Sequence, residues 1–117
     1  MSVPTQITFF EFLTPLVASG QKTITIRDKS ESHYVPGTRV EVFTLETQRK
    51  VCEIDILAVE PLKFDEINEF HAEQEAIELP KLKALIQEIY PNIDELYVIT
   101  YQLAKCTGQV QQDTFFR

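Results

Sequence analysis

The N-terminal quarter of the chain has an apolar pattern that predicts helix. Apolar residues recur at a helical period as far as Val17, and Thr8 and Glu11 have the spacing of a capping box at a helix N-terminus. Pro15 interrupts this period, so the pattern fits two short helices as well as one kinked helix. Gly20 stands where a C-terminal helix cap is expected.

Beyond Gly20 the pattern changes to a period of two, which is typical of strands. It predicts four strands, at residues 23–27, 40–45, 51–59 and 96–103. Ile24 and Ile26 are expected to point inward from the first strand, and a polar loop is expected at 28–37. Helical periods cover 64–75 and 80–90. Since helices and strands do not alternate regularly, we expect an α+β domain, a small curved sheet or β-barrel with flanking helices, rather than a doubly wound parallel sheet.

Composition limits the function classes. The 117 residues are enough for one domain, and the formal net charge of -7 disfavours extended binding of nucleic acid, which depends on neutralising phosphates. No apolar run is long enough to span a bilayer, so we expect no membrane association. The N-terminus lacks the basic segment of a secretory signal, and we expect a cytoplasmic protein of unknown oligomeric state.

Cysteine, histidine and glycine carry little signal. Cys52 and Cys106 are far apart in sequence and form no CxxC pair, which indicates a reducing compartment and two ordinary thiols. His33 and His71 do not have zinc-ligand spacing, and three glycines do not make a phosphate-binding loop. We therefore predict neither a metal nor a cofactor.

The segment from Gly20 to Asp28 is the strongest candidate for chemistry. It concentrates Lys22, Thr25 and Arg27 in a chain with few positive charges. Each residue also has a structural explanation: a solvated lysine in a turn, a threonine chosen for its β propensity, and an arginine in a weak surface ion pair.

A second candidate lies in the predicted helix at 64–75. His71 and Glu75 are four residues apart and so share a helix face. A helix rich in glutamate is more often simply a solvated surface, and spacing alone does not decide between the two interpretations.

Several sequence blocks carry a resemblance to a known family. Gly20, Lys22, Thr23 and Arg27, followed by a polar loop that ends in Pro36-Gly37, resemble the ASCH domain, a relative of the PUA-type RNA-binding barrel. The longer blocks look like the bacterial N(4)-acetylcytidine amidohydrolase family. They are ITFF at 7–10, KTITIRD at 22–28, SESH at 30–33, HAEQE at 71–75, and IYP followed by YVI.

The resemblance implies a PUA-like fold and the hydrolysis of the acetyl amide of N(4)-acetylcytidine, giving cytidine and acetate. It implies Lys22, Thr25 and Glu75 as catalytic residues, and a small modified nucleoside as the partner. We predict that substrate binding uses Arg27, Ser32, His33 and His71. An ASCH domain is expected at residues 1–104, followed by a C-terminal tail at 105–117.

The expected chemistry sets two conditions on the structure. Residues three apart on a regular strand face opposite sides, so Lys22 and Thr25 converge only if Lys22 lies in the turn before the strand or a bulge intervenes. Lys22 activates the Thr25 hydroxyl only when neutral, which requires desolvation or a nearby cation such as Arg27 to lower its pKa. Glu75 would then protonate the leaving amine.

Two other functions fit the same sequence. A non-catalytic PUA-like module that binds RNA or a modified nucleobase would show a basic face without an aligned Glu75. A regulatory interaction domain would show an exposed apolar patch, for instance around Phe115 and Phe116. The negative net charge and the complete Lys-Thr-Glu set favour the enzyme.

Overall fold

The computed structural model describes residues 3–106, which form a five-stranded sheet and three α-helices. The strands are β1 (Gln6–Phe9), β2 (Ile24–Arg27), β3 (Arg39–Thr44), β4 (Lys50–Lys63) and β5 (Glu95–Cys106). The α-helices are α1 (Thr14–Ser19), α2 (Glu69–Glu75) and α3 (Leu79–Ile89). Short 3₁₀ helices occupy Glu11–Leu13, Lys29–Glu31 and Phe64–Glu66.

The sheet has the order β1-β3-β4-β5-β2 and leaves β1 and β2 as its two edges. β1 runs parallel to β3, and every other neighbouring pair is antiparallel. The predicted α+β class is confirmed, in the form of a sheet that does not close into a barrel. Register shifts in the long β4 bend the sheet, because a bulge increases local twist.

Apolar side chains form two cores, one on each face of the sheet. Ile24 and Ile26 of β2 pack with α2 and α3, as the alternating pattern predicted. The opposite face holds a second core that includes Phe9, Val17 and Tyr101. All four residues of β2 are therefore buried, and the polar positions Thr25 and Arg27 face the protein interior rather than solvent.

The largest difference from the sequence-based prediction is at the N-terminus. The capping box at Thr8 and Glu11 is wrong, because Gln6–Phe9 form β1, whose Ile7 and Phe9 enter the core. The alternative of a separate short helix is correct, since α1 starts at Thr14 with a proline in its first turn. The predicted helix at 64–75 is broken because Asn68 caps a new helix, α2.

The last strand is longer than expected. β5 runs to Cys106, two residues into the segment predicted as a tail, and its register places Cys106 opposite Cys52 of β4. The rest of the predicted tail, with Phe115 and Phe116, lies outside the described residues. Within residues 3–106, no helix is both long and apolar enough to cross a membrane.

Candidate active site

A buried ion pair joins Lys22 to Glu75, two of the three residues that the family resemblance implies as catalytic. The Lys22 Nζ donates a hydrogen bond to Glu75 Oε1 and another, of 2.7 Å, to the backbone carbonyl of Ile24. Lys22 is 2% exposed and Glu75 is 4% exposed. Burial removes both charges from water, and their mutual attraction has to offset this desolvation free energy. A buried ion pair is therefore unusual in a domain of this size.

Local structure explains how residues 53 positions apart meet. Gly20 ends α1 in the left-handed conformation (φ 83°), which turns the chain so that Lys22 precedes β2. The Lys22 amide donates to the Leu16 carbonyl (3.0 Å), and the Thr23 amide donates to the Gln74 carbonyl (2.8 Å). The second bond fixes the turn against the C-terminal end of α2, where Glu75 is the last residue. The placement of Lys22 in a turn before the strand is thus confirmed.

Arg27 connects the third residue, Thr25, to its surroundings. We call Lys22, Thr25, Arg27 and Glu75 the buried cluster. Its Nε donates to Thr25 Oγ1 (2.8 Å), one terminal nitrogen donates to Glu31 (2.5 Å), and the other donates to the Thr8 carbonyl (2.8 Å). The interpretation of Arg27 as a surface ion-pair residue is wrong, because its side chain is nearly buried. Its bond to Thr8 bridges β2 and β1, the two edges of the open sheet.

The ring of Phe9 brings Lys22 and Arg27 onto a shared surface. Lys22 Nζ lies 5.6 Å from the ring centroid and the Arg27 guanidinium carbon lies 4.9 Å from it, both within cation–π range. Each of the two cations is paired with one carboxylate, Lys22 with Glu75 and Arg27 with Glu31. Several charges are thus concentrated in a region that is largely shielded from solvent.

This environment changes how readily Lys22 gives up its proton. Burial lowers the pKa of Lys22 below its usual range, the Glu75 carboxylate opposes that effect, and the positive charge of Arg27 adds to it. A lysine with a lowered pKa is a better general base near neutral pH. Within residues 3–106 Lys22 Nζ and Thr25 Oγ1 do not share a hydrogen bond, so a proton would pass between them through a side-chain rotation or one water molecule.

A small cleft opens beside the cluster. It has a volume of about 160 Å³, and Phe9 and Arg27 belong both to its lining and to the buried cluster. Tyr90 and Glu31 form part of its wall, and the Tyr90 hydroxyl donates to Glu31 (2.8 Å). A larger apolar groove of about 550 Å³ lies between α1 and α3 and contains none of the buried charged residues.

The other predicted binding residues lie elsewhere. The Ser32 hydroxyl donates to the Lys29 carbonyl (2.8 Å), and His33 is exposed. His71 accepts a hydrogen bond at Nδ1 from the Asn68 amide (3.1 Å) and so helps to cap α2. Within the described residues none of these three side chains contacts the Lys22–Glu75 pair, and their roles in binding stay predictions.

Sequence reasoning did not single out Glu31, Tyr90 or Tyr101. Arg27 ends β2 and Glu31 lies in the 3₁₀ helix that follows, so the helical rule for residues four apart would not have paired them. Tyr101 alternates with apolar residues along β5, and nothing in that pattern distinguishes it from a core tyrosine. Across the part of the chain that the structure describes, no group of three or more His, Cys, Asp or Glu residues could hold a metal ion.

Proteins of a known family are similar to this chain over most of its length. A family model described as the ASCH domain matches residues 6–78. The chain is 98% identical over 105 residues to a Vibrio cholerae serotype O1 protein named N(4)-acetylcytidine amidohydrolase, which covers 90% of this chain and all of that protein. Proteins of the same name from Vibrio parahaemolyticus and a Shewanella species are 82% and 48% identical, covering 89% and 82% of this chain and 97% and 93% of theirs.

Solved structures share the fold at low sequence identity. The ASCH domain from Lactobacillus crispatus has a TM-score of 0.70 at 12% identity, covering 86% of this chain and 80% of that chain. ASCH from Zymomonas mobilis has a TM-score of 0.67 at 8% identity, covering 92% and 76% respectively.

Proposed function

The chain belongs to the ASCH domain family, and we propose that its buried Lys22–Glu75 site hydrolyses the acetyl amide of N(4)-acetylcytidine to cytidine and acetate. One observation carries the proposal: a buried lysine–glutamate pair, with a buried threonine three residues after the lysine, in a chain 98% identical to the whole of a protein bearing that activity in its name. At 98% identity, few positions differ at which the sites of the two proteins could diverge.

Thr25 is the nucleophile in the proposed reaction. Its Oγ1 loses a proton to the neutral amine of Lys22 and attacks the carbonyl carbon of the acetyl group. The carbonyl electron pair moves onto oxygen and forms a tetrahedral oxyanion. The Arg27 Nε, which donates to Thr25 Oγ1, favours the deprotonated oxygen, since a cationic donor lowers its proton affinity.

Glu75 completes the proton transfers. It receives from Lys22 the proton that came from Thr25 and gives it to the exocyclic nitrogen of cytosine. The tetrahedral intermediate then collapses, the C–N bond breaks, and cytidine leaves with the acetyl group bound to Thr25. Water then attacks the acetyl ester, loses its proton to the pair, and releases acetate while the Thr25 hydroxyl is restored. The direct bond between Lys22 and Glu75 supports this scheme, because it lets the two side chains exchange a proton between steps.

The cleft beside Phe9 and Arg27 is the proposed entrance. At about 160 Å³ it is smaller than the roughly 300 Å³ at which small-molecule sites begin, so binding has to widen it. Phe9 offers an aromatic face for the base. An uncharged nucleoside needs no extended basic surface, in agreement with the net charge of -7.

Two substitutions at one position test the mechanism. In Thr25→Val the hydroxyl is lost with little change of volume, and we expect cytidine release from N(4)-acetylcytidine to fall at least about a thousandfold. Thr25→Ser keeps a hydroxyl and is expected to retain measurable turnover. Intact-protein mass spectrometry of the quenched reaction should find an acetyl group on Thr25 in the unmodified protein.

A Thr25→Val variant with full activity would reject the covalent route and leave water as the nucleophile. Thr47→Val is a matched control, because Thr47 lies in the β3–β4 turn, where its hydroxyl bonds to Thr44. It should turn over the substrate at the unmodified rate.

A further inference from the structure

The hydroxyl of Tyr101 is unusual among the buried polar groups of this fold. Within the described residues it is the one buried side-chain polar atom without a hydrogen-bond partner. Tyr101 lies in the middle of β5 and is 2% exposed. Buried tyrosine hydroxyls normally find a partner, because an unsatisfied one loses its hydration without compensation. A buried hydroxyl without a partner is available to bond a group that enters the site.

Its position in the sheet places it with the reactive groups. Thr25 of β2 lies opposite Ile99 of β5, so Tyr101 is on the same sheet face, two residues further along. Diagonal neighbours on adjacent strands lie about 7–8 Å apart, which is within reach of a long side chain such as tyrosine. The Tyr101 amide also donates to the carbonyl of Thr23 (3.0 Å), which fixes β5 against the turn that carries Lys22.

The aromatic ring and the surrounding charges agree with this placement. Tyr101 packs edge-on against Phe9, with ring centroids 6.2 Å apart, and Lys22 Nζ lies over that Phe9 ring. Burial raises the pKa of Tyr101 above its ordinary value, Glu75 raises it further and Arg27 opposes the change. The hydroxyl therefore stays protonated and can donate a hydrogen bond.

We propose that Tyr101 is a further catalytic residue, whose hydroxyl donates a hydrogen bond to the acetyl carbonyl oxygen and stabilises the oxyanion. This role rests on the proposed amidohydrolase function. Tyr101 keeps its proton throughout. The charge that develops on the carbonyl oxygen as Thr25 attacks is met by a donor already held in place, and a preorganised donor of this kind favours the transition state over the ground state.

The side-chain nitrogens of the other two donor residues already have hydrogen-bond partners. Arg27 donates to Thr25, Glu31 and the Thr8 carbonyl, and Lys22 donates to Glu75 and the Ile24 carbonyl. Each of these nitrogens is held in place by its present partner, so turning either side chain toward the oxyanion would weaken a buried hydrogen bond. The Tyr101 hydroxyl can bind the substrate oxygen without such a loss.

Tyr101→Phe tests the role, with Tyr34→Phe as its matched control. We expect Tyr101→Phe to lower kcat for N(4)-acetylcytidine by roughly a hundred- to a thousandfold, the range for loss of one oxyanion donor, with KM changed little. Its melting temperature should stay the same or rise, because no hydrogen bond is lost. Tyr34 donates to the Gln6 carbonyl (2.7 Å), so Tyr34→Phe should lower the melting temperature and leave kcat unchanged.

The outcomes separate this role from the function on which it rests. If the unmodified protein and Tyr101→Phe release cytidine with equal kcat, the proposed function stands and the role of Tyr101 is overturned. If Tyr101→Phe loses activity together with melting temperature, the hydroxyl is structural and the role is again overturned. If the unmodified protein releases no cytidine, the function itself is overturned, and the role falls with it.

Discussion

At the scale of single residues, Lys22 and Glu75 depend on each other. Each has lost nearly all contact with solvent, and each supplies the other's opposite charge. Replacing one leaves the other charge buried and uncompensated, whereas replacing both with neutral residues of similar shape removes the problem. The fold therefore depends on both charges being present together.

This dependence predicts a strongly non-additive double-mutant cycle. Lys22→Met and Glu75→Gln should each lower the free energy of unfolding by about 3–5 kcal/mol. The double variant should recover much of that loss, and none of the three should hydrolyse N(4)-acetylcytidine. Urea unfolding at constant pH measures all four proteins. Effects that simply add would contradict the account of a buried, mutually dependent pair.

The electrostatics of Lys22 also predict a shift in the pH profile. The charge of Arg27 helps to lower the pKa of Lys22, so removing that charge raises it. In the proposed mechanism the neutral amine is the active form, so kcat/KM should increase with pH as Lys22 loses its proton. In Arg27→Gln this rising limb should move to higher pH.

Arg39→Gln provides the control for that profile. Arg39 is an exposed residue that pairs with Asp55, remote in its contacts from the cluster. Its replacement should leave the position of the limb unchanged. A limb that stays in place in Arg27→Gln, or moves to lower pH, would argue against Lys22 as the titrating base.

The sequence predicts which residues form this cluster, but not most of the contacts between them. Lys22, Thr25 and Glu75 were named from short sequence blocks, and the turn before β2 followed from Gly20 and strand periodicity. The bonds of Arg27 to Thr8 and Glu31, and the orphan hydroxyl of Tyr101, could not be predicted. They depend on how the edge strands approach each other, which no local pattern encodes.

At the scale of elements, the end of α2 controls the position of Glu75. The helix stops at Ala76, which has a positive φ of 60° although it is not glycine. The left-handed conformation costs an L-residue about 1–2 kcal/mol, because the Cβ crowds the following carbonyl. The chain accepts this strain directly after a buried glutamate.

Ala76→Gly should therefore stabilise the protein, by roughly 0.5–1 kcal/mol once the greater freedom of glycine in the unfolded chain is subtracted. Ala84→Gly is the matched control: Ala84 is exposed within α3, where glycine costs about 1 kcal/mol. Thermal unfolding of the two variants should move in opposite directions. Equal destabilisation by both would show that Ala76 carries no strain.

The N-terminal elements show where pattern reasoning fails. A helix was predicted to begin at Thr8, because Thr8 and Glu11 imitate a capping box, yet Gln6–Phe9 form an edge strand parallel to β3. A four-residue strand has too few positions for its period of two to outweigh the helical period of the residues that follow. The pairing with β3, more than thirty residues later, decides the outcome.

At the scale of the whole molecule, the site lies where the sheet fails to close. β1 and β2 are the two edges, Phe9 comes from one and Arg27 from the other, and the bond from Arg27 to the Thr8 carbonyl spans the gap. Opening this gap requires breaking few backbone hydrogen bonds. Under the proposed function, a nucleoside would enter through this gap without unfolding of the two cores.

The net charge of -7 agrees with a small, uncharged substrate. A broad surface for phosphates would require clustered, exposed cations, whereas Lys22 and Arg27 are buried and already bonded to carboxylates. The function class could be argued from the sequence for this reason. The location of the entrance could not, because it follows from the topology of the sheet edges.

Hydrolysis by the intact protein tests the central claim most directly. Incubated with N(4)-acetylcytidine, the unmodified protein should release cytidine and acetate in equal amounts, and Lys22→Met, folded at the same temperature, should release neither at a comparable rate. Absence of cytidine release by the unmodified protein, or equal release by Lys22→Met, would contradict the account.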